Sequence, residues 1–175
     1  AIFGYAFEGY IETSFRSVEL VAWALIAGSI LFLIAEYYSK KISQKNTLNT
    51  GVSVKSGLII GFFQTLALIP GLSRSGATIS GGLLLGLSRE EAARFAFLLS
   101  FPIIIGAGSK SVLDLGIGGV FSSIGPSLIA AILAAFISGM FAIHFLLKYL
   151  KKHTLVVFVF YRLILAAVIF LYISV

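Results

Sequence analysis

Fold assignment turns on Leu58-Ile-Ile-Gly-Phe-Phe-Gln-Thr-Leu-Ala-Leu-Ile-Pro-Gly-Leu-Ser-Arg-Ser-Gly-Ala-Thr-Ile-Ser-Gly-Gly-Leu-Leu-Leu-Gly-Leu87. Two apolar runs, 58–69 and 77–87, flank a centre where Pro70, Gly71, Arg74 and Gly76 interrupt any continuous apolar helix. A helix that crosses a bilayer needs about 20 apolar residues, so neither run crosses alone. Irregular backbone between such runs is tolerated at depth only where protein or a watery cavity surrounds it. The stretch therefore predicts a re-entrant pair over about 54–87: one helix in, a tight polar turn, one helix back.

The rest of the chain sets that pair in a membrane. Of 175 residues, 59% are hydrophobic and 11% charged, where a soluble domain carries about 25% charged residues. A soluble core of this size could not hide so much apolar surface. Spans are predicted over about 18–38, 92–110, 124–147 and 154–174, with Trp23 and the tyrosines after Glu36 as interfacial anchors. The expected fold is an all-α integral membrane protein, a multi-span helical bundle with one re-entrant helix pair, forming a single transmembrane domain over 1–175. The absence of cysteine excludes disulfides and thiolate metal sites. The net charge of +6 lies in loops between apolar spans and forms no continuous stripe, which argues for a membrane and no nucleic acid.

Charge placement discriminates between topologies. With Lys40, Lys41, Lys45 and Lys55 on the cytoplasmic side, a pair that enters and returns puts Arg89 inside as well. The next two spans then bring Lys148, Lys151 and Lys152 back inside, so that every basic loop but Lys110 falls on one side, while Glu8, Glu12, Glu19 and Asp114 fall on the other. A full crossing over 54–87 would strand the Lys148 cluster outside.

The polar turn itself carries chemistry. Ser73, Ser75 and Thr78 offer hydroxyls, and Arg74 offers a planar fork suited to a phosphate. Gly76, Ala77 and Thr78 are expected to open the returning helix, whose unpaired N–H groups and dipole favour an anion. The bland alternative is that a serine caps the helix and Arg74 snorkels, but an ionisable residue between apolar segments is a functional candidate by default. Gln64, ten residues before Arg74, either holds the loop backbone or satisfies a buried carbonyl. Arg162, inside the last span, is expected to pair with a glutamate such as Glu36, Glu90 or Glu91 in a structural role.

The runs Gly61-Phe-Phe-Gln-Thr-Leu-Ala-Leu-Ile-Pro-Gly-Leu-Ser-Arg-Ser-Gly-Ala-Thr-Ile-Ser-Gly-Gly82 and Gly86-Leu-Ser-Arg-Glu-Glu-Ala-Ala-Arg-Phe-Ala-Phe-Leu-Leu-Ser100, with Tyr161-Arg162, resemble the undecaprenyl-pyrophosphate phosphatases of the bacitracin-resistance family. The resemblance covers nearly the whole chain. It implies a multi-pass protein of the bacterial cell membrane that hydrolyses undecaprenyl pyrophosphate to undecaprenyl phosphate and phosphate, recycling the carrier of cell-wall precursors. It also implies two inverted repeats, of which this chain supplies the second. By the same resemblance Arg74 and Ser73 belong to catalysis, Arg74 clamping the pyrophosphate. Ser73, Ser75 and Thr78 would supply hydrogen bonds to phosphate beside it, with Gly76 and Ala77 at the helix start as further phosphate-binding candidates and Gln64 and Arg162 as supporting ones. Implied partners are a polyprenyl pyrophosphate lipid, the membrane and an upstream repeat; a homo-oligomer is left open.

One departure matters. The family's upstream signature pairs Glu-x-x-x-Glu with a Pro-x-Ser-Ser-Thr-Gly-His run. Glu8 and Glu12 have the spacing, but Thr13 to Ser17 do not continue the motif. The expectation is a C-terminal part of the enzyme, inactive alone, with a divalent cation, Mg²⁺ by resemblance, whose ligands lie elsewhere. A transporter or flippase for an anionic lipid or phosphate remains the alternative, since broken helices serve that role equally well.

Overall fold

Start and stop signals in the sequence set the helix boundaries. A computed structural model describes residues 17–44, 52–117 and 121–174; Glu8 and Glu12 lie outside them. Among the described residues there are six helices: α1 (Val18–Gln44), α2 (Val54–Leu66), α3 (Arg74–Leu84), α4 (Arg89–Ile117), α5 (Phe121–Leu150) and α6 (Val156–Ser174). Ser17 Oγ accepts from Leu20 N at 3.2 Å to open α1, with Glu19 in its first turn and Lys41 in its last, matching the helix dipole. Ser53 opens α2 by accepting from Ser56 N. Helix α3 ends where Gly86 takes φ 86°; Leu87 N bonds Gly82 O and Gly86 N bonds Leu83 O, the paired bonds of a Schellman stop. Immediately after it, Ser88 and Glu91 exchange bonds of 3.1 and 3.2 Å, a capping box that starts α4. That box begins α4 three residues before the expected span.

Helices α1, α4, α5 and α6 are each long and apolar enough to cross a membrane. The chain is therefore an all-α integral membrane protein. By contrast α2 and α3, of 13 and 11 residues, reach only about 20 Å at 1.5 Å per residue. They form a hairpin packed against one another, and α3 is also flanked by α1 and α4. Every α3 residue from Gly76 to Leu83 is buried. Helix α6 packs antiparallel to α1: Leu155 N bonds Glu36 at one end, and Ala166 clusters with Ala22 toward the other.

Glu36 fixes the relation among the helix ends. Its carboxylate, 4% exposed, takes Arg89 at 2.6 Å and the Leu155 amide at 2.8 Å. Glu90 beside Arg89 in turn meets Lys151 at 3.3 Å. The C-terminal part of α1, the start of α4 and the α5–α6 turn thus share one basic end. Both ends of the hairpin approach it: Arg89 follows α3 closely, and Gly57 of α2 stands beside Phe95 of α4. The hairpin turn lies elsewhere, against Val21 and Ala24 of α1. From Glu36 back to Leu25 is about 16 Å along a helix, half the thickness of a hydrocarbon core of about 30 Å.

Candidate functional site

The turn between α2 and α3 is built from residues that accept unusual backbone. Bonds from Ala67, Leu68 and Ile69 amides to carbonyls three residues back wind α2 down, and Leu72 N closes a turn onto Ile69 O. Gly71 takes φ 95°, and a Cβ there would stand 2.7 Å from Val21 O, so both the conformation and the close approach require glycine. Ser73 takes φ 71° without being glycine. Such positions are uncommon for side-chain-bearing residues and persist where surroundings over-determine them. Here Ser73 is the N-cap of α3, its Oγ accepting from Gly76 N at 3.2 Å. The hydroxyl proton of Ser73 remains free to donate elsewhere.

The returning helix starts at Arg74, two residues earlier than the sequence suggests, because Ser73 caps it and Ala77 N already bonds Ser73 O. Its first turn is therefore Arg74-Ser75-Gly76. A cavity of about 410 Å³ opens at this point. Ser73, Ser75, Gly76 and Arg162 supply its polar lining, and Leu25, Phe32, Ile79, Leu146, Leu150, Leu155 and Phe158 its apolar lining.

The sequence-predicted residues divide around that cavity. Ser73, Ser75, Gly76 and Arg162 line it together. Arg74 is exposed at the first helical position between Ser73 and Ser75, and its guanidinium has no bond among the described residues. Ala77 and Thr78 are buried at 0% and 1% exposure and do not line the cavity. The Thr78 hydroxyl donates to Arg74 O at 2.8 Å, holding the first turn of α3. Gln64 Nε2 is buried and has no partner among the described residues.

Arg162 differs from its expected pairing. Among the described residues no glutamate meets it; Glu36 is engaged by Arg89 near the other end of α1. Instead Nε and Nη2 donate to Leu25 O at 3.3 and 3.2 Å, and Nη2 also reaches Ala24 O at 3.4 Å and Gly71 O at 2.9 Å. Its Cζ stands 5.2 Å from the centre of the Phe32 ring, whose face favours a cation. Sequence reasoning missed this strap between α6, α1 and the turn; only the arginine's cost inside a span marked it.

Pro70-Gly-Leu-Ser-Arg-Ser-Gly-Ala-Thr78 is thus a folded turn whose Gly71, Ser73, Ser75 and Gly76 line the cavity. The model of the family described as bacitracin resistance protein BacA matches residues 1–168. The chain belongs to the BacA family. Curated relatives named undecaprenyl-diphosphatase include one from Mycolicibacterium smegmatis, 45% identical over 170 residues, covering 96% of this chain and 60% of the relative. One from Bacillus subtilis is 40% identical over 171 residues, covering 98% and 61%. One from Chlorobium limicola is 47% identical over 180 residues, covering 95% and 60%. The chain spans about 60% of the length of these relatives. Four apolar helices in a chain of the BacA family make it a multi-pass protein of the bacterial cell membrane.

Proposed function

We propose that the protein to which these residues belong hydrolyses undecaprenyl pyrophosphate, releasing phosphate and leaving undecaprenyl phosphate to carry cell-wall precursors again. The observation that carries this reading is the amphipathic cavity. Hydroxyls, the start of a helix and an arginine line it together with leucines and phenylalanines. A lipid pyrophosphate combines the same polar and apolar character. Its phosphates would sit at Ser73, Ser75 and Gly76, and its first isoprene units along Leu146, Leu150 and Phe158. The names of the relatives support the same substrate.

In this reading the α2–α3 hairpin is re-entrant. Its turn sits near mid-depth, and both its ends face the cytoplasm with the basic helix ends. Water attacks the terminal phosphorus, the bond to the bridging oxygen breaks, and undecaprenyl phosphate departs with that electron pair. Charge builds on the transferring and bridging oxygens, so catalysis here is chiefly positioning and neutralisation. Arg74 would swing its free guanidinium onto the terminal phosphate, and Ser73 would donate to it while its oxygen still caps α3.

The proton of the attacking water needs a base. Among the described residues no group of three or more His, Asp or Glu side chains comes together. The polar lining of the cavity is hydroxyls, amide and arginine, a donor set for anions and a poor fit for a divalent ion, which takes carboxylate oxygens. No step is therefore routed through Mg²⁺ on these residues. We assign the base, and the carboxylates that would hold a cation, to an upstream repeat paired with this one. On its own the 175-residue chain would bind pyrophosphate without significant turnover.

The test is product analysis by phosphorus NMR with the full-length natural protein and undecaprenyl pyrophosphate in detergent. One phosphate per lipid, with undecaprenyl phosphate as the other product, supports the reading. Intact lipid that moves between vesicle leaflets overturns it in favour of a transporter.

A further inference from the structure

Arg162 is 5% exposed in a membrane span, yet no carboxylate among the described residues neutralises it. Glu36 is held by Arg89 and the Leu155 amide, Glu90 by Arg94 and Lys151, and Glu91 bonds the Ser88 amide. Three backbone carbonyls and the Phe32 ring surround the guanidinium instead. Such dipoles orient a cation but bring no net charge. An uncompensated buried charge is costly, and more so inside a bilayer. Nη1 forms no bond among the described residues, while Nε and Nη2 are committed to Leu25, Ala24 and Gly71.

The slot is shaped for this side chain. A Cβ on Gly28 would collide with Nη2 and stand 3.1 Å from Cζ, so glycine on α1 makes the room. The guanidinium lines the cavity beside Ser73, Ser75 and Gly76. A cavity whose polar lining is a fixed cation and hydroxyl donors, with no carboxylate among the described residues, selects an anion.

We infer that Arg162 is the fixed cationic anchor of this cavity, and that a phosphate or pyrophosphate group supplies its missing counter-charge. Because Nη2 also holds Gly71 O, anion binding at Arg162 is coupled to the turn that presents Ser73 and Arg74. Arg74 is then the mobile cation of the site and Arg162 the stationary one. This deepens the phosphatase reading and rests on it for the identity of the anion.

The test is thermal unfolding of the full-length natural protein in detergent, titrated with inorganic pyrophosphate, farnesyl pyrophosphate or farnesol. Wild type is compared with Arg162→Gln, Arg162→Lys and Gly28→Ala. Ligand-free melting isolates any purely structural loss; the dose needed for stabilisation reads the site. Wild type is expected to be stabilised by the pyrophosphates and not by farnesol. Arg162→Gln should need at least about 10-fold more pyrophosphate, since a charge-assisted bond contributes about 1.5–3 kcal/mol. Arg162→Lys should fall between, keeping the charge without the fork, and Gly28→Ala should move the dose the same way with every charge intact.

A well-folded Arg162→Gln within twofold of wild type overturns the inference. If that variant does not fold, a Gly28→Ala dose within twofold of wild type overturns it equally. Wild type unresponsive to both pyrophosphates overturns the phosphatase reading too; a responsive wild type matched by its variants overturns the anchor alone. Stabilisation by farnesyl pyrophosphate but not free pyrophosphate supports a lipid headgroup as the anion, and stabilisation by both supports the phosphate group by itself.

Discussion

Replacing Glu36 with alanine tests how the helix ends are held. Its buried carboxylate accepts bonds of 2.6, 2.9 and 3.1 Å from Arg89 and 2.8 Å from the Leu155 amide. Removing one partner of a fully buried ion pair costs about 3–5 kcal/mol, because the other charge is stranded. The Arg89 side chain is 25% exposed and recovers some hydration, so a loss of about 2–3 kcal/mol is expected. At about 2–4 °C per kcal/mol for a chain of this size, the melting temperature should fall by roughly 5–10 °C. Far-UV circular dichroism during heating in detergent reads it. Replacing both Glu36 and Arg89 by methionine should cost less than the sum of the single changes, because no charge is left unpaired. Single changes that shift melting by less than about 2 °C, or that add without coupling, would refute the reasoning.

Further outcomes follow from the turn and its neighbours. Gly71→Ala forces a Cβ toward Val21 O at φ 95° and should destabilise by at least about 1–2 kcal/mol, read as a lower melting temperature. Thr78→Val keeps the buried shape and loses only the bond to Arg74 O, so stability should fall by about 1 kcal/mol. Phosphate release by that variant should stay within about threefold of wild type; a far larger loss would give Thr78 a direct role on the substrate. Since the chain has no cysteine, single cysteines at Lys41, Arg89 and Lys151 should all react with an impermeant maleimide from one membrane face. Labelling of Arg89→Cys from the opposite face would contradict the returning hairpin.

Much of the fold could be read from the sequence because the bilayer imposes a length rule. Helices α1, α4, α5 and α6 each hold an apolar window long enough to cross, whereas Pro70 and Gly71 divide a stretch whose halves are too short. Ser53, the Ser88–Glu91 box and Gly86 also mark helix ends by short-range bonds, but the span expected from residue 92 overlooked the box. Pairings across the chain were not legible. Glu36 and Arg89 are 53 residues apart, and nothing local says which carboxylate meets which arginine. Arg162 was expected to seek a glutamate; it found carbonyls of α1 and the turn because Gly28 leaves a slot only packing can reveal. The start of α3 was misplaced for a related reason, since a serine at positive φ is a rare cap.

The most direct measurement is phosphate release from undecaprenyl pyrophosphate by the full-length natural protein, with and without Arg74→Ala. That guanidinium is exposed, lies outside the residues that line the cavity, and makes no bond among the described residues, so its removal should leave folding intact. The account predicts an unchanged melting temperature and release slowed at least about 100-fold, as for loss of a donor aimed at developing charge. Release by a well-folded Arg74→Ala within a few-fold of wild type would contradict it.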